Sequence, residues 1–200
     1  MAPNISYVDA GNSSPKYFFK RLWIYDASIS VFRDMVPANR RPDTYILPVE
    51  GKLGPDGKAA PPLMADLFQM LVRDRVTFQS AIFMFHGKSG TLRMDGDDMG
   101  VNEWKWYFAD KGLDRLFPNA MSRLYFPGCD VADGEDGWKF LETAGSILLR
   151  GHGGLSYGWT SLGFAVPSWM PWIGDHAVHP WGETRYVIVS PGGALKRVDD

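Results

Sequence analysis

The sequence predicts an α/β protein with a mostly parallel sheet covered by helices on both faces. Three observations lead there. Strand-like and helix-like segments alternate along the chain. The strand-like segments are continuous apolar runs, such as SAIFMF at 80–85, as expected of strands buried on both faces. No internal repeat interrupts the order, and 200 residues with 45% hydrophobic side chains can fill one core. Residues 1–20 read as an N-terminal arm, rich in Asn, Ser, Gly and Pro, and residues 21–200 as one domain.

The elements follow in order. Residues 21–26 (RLWIYD) suit a short buried strand. Residues 27–36 (ASISVFRDMV) carry Ile29, Phe32 and Val36 at helical spacing. Two prolines in VPANRRPD break that pattern. TYILPVEG is a second strand, expected to stop at Pro48, and GKLGPDGKAAPP is a loop by composition. Over residues 63–79, Leu63, Leu67, Met70 and Leu71 share one face of a helix of several turns. SAIFMF is a strand, TLRMDG a shorter one, and residues 99–117 hold a helix. SRLYFPGC is the next strand. In EDGWKFLETAGSILL, the residues Phe140, Leu141, Ala144, Ile147 and Leu148 define the clearest helical face, with Asp136 as candidate N-cap. TRYVIVSPGG closes the chain with a strand and a turn.

Bulk properties exclude several classes. A net charge of −2, from 21 basic and 23 acidic residues, gives no electrostatic case for nucleic acid. One cysteine allows no internal disulfide, so no oxidising compartment is needed. The first residues lack a basic stretch followed by an apolar run, so no signal peptide is expected. No apolar run approaches the ~20 residues of a membrane span. The expectation is a soluble, cytoplasmic protein.

Two strand ends concentrate the chemistry. FMFHGKSGTL runs from an apolar strand into His86-Gly87, and LYFPGCDVADG runs from another into the single cysteine, Cys129. Ligands in open α/β sheets sit at the carboxyl ends of strands. A cysteine attacks as its thiolate, although a free thiol titrates near ~8.5, so a neighbouring imidazole and a following helix N-terminus both help. Glycines at 87 and 128 are expected to let the backbone bend so that main-chain N–H groups face a reacting carbonyl. Taken singly, a lone cysteine is most often a small buried hydrophobe and a lone histidine a turn residue. The pairing is more informative, since each follows an apolar strand and borders a glycine.

FMFHGKSGTLRM followed by LYFPGCDVADGEDGWKFLETAG resembles the caspase-like (clan CD) cysteine peptidase fold, whose histidine lies about 50 residues upstream of its cysteine. It is most similar to a bacterial branch with an HG…G-L strand end and a GC-x-VA-x-G segment. The resemblance spans residues 22–193, with specific motifs over about thirty of them. It implies a cysteine endopeptidase acting on a peptide or protein substrate without a cofactor. His86 would be the general base and Cys129 the nucleophile, with the N–H groups of Gly87 and Cys129 as oxyanion hole. Phe85 and PGCDV depart from the animal caspase pattern, so aspartate specificity does not carry over. No third residue stands out to orient His86, a task a backbone carbonyl can perform. Asp26 lies near in this topology, and its expected task is to cap the following helix. An acidic P1 residue would call on Arg150 or Arg185, and a basic one on Asp130, Asp133 or Asp175; both remain open.

The segment 150–185 holds Trp159, Trp169, Trp172 and Trp181. By the same likeness, Trp159, Thr160 and Ser161 would line the substrate mouth. The plainer reading has the tryptophans completing the core under a long loop. The same segment could serve a catalytically silent module of this fold that binds a partner, or its FAVPSWMPWIG stretch could lie on a membrane surface. His152, His176 and His179 lack the partners of a zinc pattern, so no metal is expected. GHGGL lacks the Gly-Lys-Ser/Thr ending of a phosphate loop. Oligomeric state is not legible.

Overall fold

The computed structural model describes residues 15–38, 41–50, 60–161, 164–165, 177–178 and 182–199. The chain runs β1 (Tyr17–Asp26), α1 (Ser30–Ala38), β2 (Thr44–Val49), α2 (Ala60–Arg73) and β3 (Val76–Met84). Three short strands follow: β4 (His86–Lys88), β5 (Thr91–Met94) and β6 (Asp97–Met99). Then come α3 (Val101–Phe108), a 3-10 turn (Leu113–Leu116), β7 (Arg123–Phe126), α4 (Gly134–Leu148) and β8 (Gly154–Trp159). A two-residue pair, β9 (Phe164–Ala165) and β10 (Ala177–Val178), precedes β11 (Thr184–Val189) and β12 (Leu195–Asp199).

Seven strands form one sheet in the order β12-β11-β8-β7-β3-β1-β2. Along this order the strands from β2 to β8 are mutually parallel, β11 runs antiparallel to β8, and β12 runs antiparallel to β11. Parallel neighbours need crossovers, and α1 to α4 supply them. The result is α/β, mostly parallel and helix-flanked, consistent with the caspase-like architecture suggested by the motifs.

Register explains the two faces. Leu22, Ala81, Leu124, Ser156 and Val187 align across five strands, all fully buried toward α2, α3 and α4. One residue on, Trp23, Ile82, Tyr125, Tyr157 and Tyr186 align on the opposite face, where α1 packs Phe32, Met35 and Val36 against Trp23, Tyr25 and Met84. On the first face an aromatic cluster ties β3, β7, α3 and α4 together. Phe83 stacks on Phe126 at 4.6 Å, Trp104 meets Phe83 edge-on at 5.9 Å, and Phe140 meets Phe126 at 5.1 Å. Each such pair adds about 0.5–1.5 kcal/mol beyond buried area. Phe83 and Phe126 lie a few residues before His86 and Cys129, so the cluster fixes both strand ends.

Several boundaries differ from expectation. β1 begins at Tyr17, inside the segment read as arm, because its amino end pairs with Val76–Phe78 of β3. The helix expected over 63–79 runs from Ala60 to Arg73, where positive φ at Arg75 turns the chain and gives Val76–Gln79 to β3. Pro48 lies inside β2; among the described strands that edge strand pairs with β1 alone, so the missing N–H is tolerated. The helix expected over 99–117 breaks after Phe108, where Asp110 and Gly112 take positive φ. Asp133, not Asp136, is the N-cap of α4, which leaves Glu135 and Asp136 in its first turn.

Candidate active site

β3 and β7 are adjacent and parallel, so the segments leaving their carboxyl ends emerge side by side. They are in backbone contact. A Cβ built on Gly87 would lie 2.7 Å from the Cys129 carbonyl oxygen and 3.3 Å from its amide nitrogen. One built on Gly128 would lie 3.1 Å from the Phe85 carbonyl and 3.4 Å from the Gly87 Cα. Neither glycine has positive φ, so both are needed for close approach, not for the bend expected of them. Asp130, at φ 54°, turns the chain.

Hydrogen bonds hold the two loops together. Gly90 N–H donates to the Val131 carbonyl at 3.1 Å, and Ser89 Oγ to that of Asp133 at 2.6 Å. On the far side, Asp130 N–H donates to Ser161 and Ala132 N–H to Trp159, at 3.0 and 2.9 Å. The turn bearing Cys129 is thus clamped between the histidine loop and the end of β8. Cys129 is half-buried, and His86 is exposed with its ring 5.8 Å from that of Phe32 on α1. α4 starts shortly after Cys129, bringing its N-terminal dipole near the turn.

The other residues singled out in the sequence are placed as follows. Trp159 is 3% exposed and packs edge-on against Tyr125 at 5.7 Å, so it meets the turn through its carbonyl. The Thr160 hydroxyl accepts from Glu183 N–H at 2.9 Å and Ser161 supplies the carbonyl for Asp130. Trp169, Trp172, Trp181, Asp175, His176 and His179 lie outside the described residues. Among the described residues no cluster of His, Cys, Asp or Glu suits a metal. No described helix is long and apolar enough to cross a membrane.

Arg185 is committed elsewhere. Its guanidinium donates to the Ala132 and Gly134 carbonyls at 2.9 and 3.0 Å, stacks on Trp138 and pairs with Asp199. Arg150 follows the carboxyl end of α4, at the opposite end of the sheet from Cys129, against Gly193. Asp130 adjoins Cys129, and no hydrogen bond or ion pair among the described residues holds its carboxylate. Cavities of about 610 and 390 Å³ both lie toward the amino ends of the parallel strands, away from His86 and Cys129.

Sequence reasoning missed the contribution of β8, whose end carries the carbonyls holding the cysteine turn. It also missed Ser89 and Gly90, which stitch the two loops. The GKSG stretch after His86 was a weak signal for them. Comparison with family models, with curated proteins and with solved structures gave no match.

Proposed function

We propose that the protein is a cysteine endopeptidase acting through Cys129 and His86. The observation that carries this reading is the backbone contact between Gly87 and Cys129, which sets a histidine-bearing and a cysteine-bearing strand end against each other. In the first step the Cys129 sulfur, its proton passed to His86, bonds to a peptide carbonyl carbon. The N–H groups of Gly87 and Cys129 stabilise the oxyanion. His86 then gives its proton to the leaving amine as the C–N bond breaks. Water attacks the thioester, His86 takes its proton, and the thiol leaves with a new carboxylate on the product.

The substrate carries a basic residue on the acyl side of the scissile bond. Both arginines that could have read an acidic one are removed from the site, Arg185 by its carbonyl and aromatic partners and Arg150 by distance. Asp130, beside the nucleophile, has a carboxylate open to a cation. A peptide library cut by wild type beside Cys129→Ala and Asp130→Asn tests both statements. Cleavage after Arg or Lys, abolished in the first variant and relaxed in the second, is expected. Equal cleavage by Cys129→Ala sinks the peptidase reading, whereas cleavage after Asp or Glu sinks only the specificity.

A further inference from the structure

Asp26, the last residue of β1, takes no part in the chemistry above, yet it is a carboxylate only 3% exposed. An ionised group in such a place costs several kcal/mol unless hydrogen bonds replace its water. Three donors do so. Ser28 N–H reaches Oδ1 at 2.9 Å, the Ser28 hydroxyl reaches the same oxygen at 2.5 Å, and Asp95 N–H reaches Oδ2 at 2.8 Å. Asp26 is thus not the cap of α1 that was expected: its first oxygen holds Ser28 in the turn ahead of that helix, which starts at Ser30, and its second oxygen holds a different element.

Both elements flank the imidazole. Ser28 leads into α1, which sets Phe32 against the His86 ring at 5.8 Å. Asp95 follows β5, and β5 pairs with β4 so that Arg93 stands opposite His86. Arg93 is thus a cross-strand neighbour of His86, and Lys88, two residues along β4, pairs with Asp98 of β6.

We propose that Asp26 is a positioning residue for His86, fixing the ring through Phe32 on one side and through the β5–β6 turn on the other. The inference rests on the His86–Cys129 reading above. Asp26→Asn is a discriminating change because it conserves volume but leaves one acceptor oxygen where three donors converge. Its amide must face an N–H or O–H, and one tie breaks.

The test is alkylation of Cys129 by iodoacetamide from about pH 5 to 9, with melting curves, in wild type, Asp26→Asn, Phe32→Leu and His86→Ala. A thiolate held by imidazole reacts well below the ordinary thiol range. Wild type is expected to react at about pH 6, and Asp26→Asn and Phe32→Leu to react about 10-fold more slowly there. All four should converge near pH 9, where the thiol ionises unaided. Should Asp26→Asn fail to fold, Ser28→Ala decides, since it keeps the carboxylate but removes its hydroxyl tie, and it is expected to slow alkylation at about pH 6 in the same way. A wild-type profile in both variants, with lower melting temperatures alone, makes Asp26 merely structural and overturns the inference. A wild type that reacts only as an ordinary thiol overturns the dyad, and the inference with it.

Discussion

A methyl group at residue 87 would stand 2.7 Å from the Cys129 carbonyl oxygen, closer than a Cβ sits to any such atom, and the obstructing atom is backbone. One of the two loops must therefore move in Gly87→Ala, and the N–H groups that would face an oxyanion move with it. Turnover by Gly87→Ala is expected to fall about 100-fold, because small misplacements of reacting groups cost that much. Initial rates on the best library peptide, with circular dichroism to confirm folding, measure it; a folded variant with wild-type turnover would contradict the geometry. The two strand ends that meet here were legible in the chain as apolar runs ending beside glycines. The reason for those glycines was not, since sequence suggests backbone freedom while the structure requires absence of bulk.

At the scale of elements, the carboxyl-terminal hairpin clamps the helix behind the cysteine turn. Arg197 of β12 binds Glu135 with two hydrogen bonds of 2.8 and 2.9 Å and Glu142 with two of 2.7 and 3.1 Å. Its guanidinium and that of Arg185 both lie over the Trp138 ring, at 5.4 and 5.0 Å from the ring centre. Arg197 holds the Glu135 carboxyl below the usual glutamate range. The clamp is therefore complete at neutral pH and is lost as pH falls through that depressed value. Arg197→Ala should lower the melting temperature by a few degrees at pH 7, a modest effect because the pair is solvated. The difference should close once the pH has fallen below the depressed folded value. A gap that persists there would assign the effect to packing on Trp138 instead. Sequence showed α4 clearly because its apolar residues recur at helical spacing. It hid β8 (GLSYGW), whose glycines read as loop. A Cβ at Gly158 would meet the Val131 side chain at 2.9 Å and the Phe126 carbonyl at 3.0 Å, so that glycine is there to admit the cysteine turn.

For the whole molecule, the parallel sheet and its aromatic cluster make the site a consequence of the core. Phe126 stacks on Phe83 and meets Phe140 and Trp104 edge-on, all with no exposure. Phe126→Ala is expected to cost about 3–5 kcal/mol in urea unfolding, and a loss below about 1 kcal/mol would contradict the packing. The fold class was readable because strands buried on both faces carry continuous apolar runs. Element ends were less so, because the left-handed turns at Arg75 and Asp110 fall on residues other than glycine, which sequence does not mark. The sheet order brings two distant residues to one rim, and the enzyme reading depends on their meeting there. The most direct measurement is the rate of Cys129 alkylation at about pH 6 in wild type against His86→Ala. The dyad predicts a reactive thiolate in wild type that disappears in the variant. Equal, slow labelling of the two proteins would contradict it.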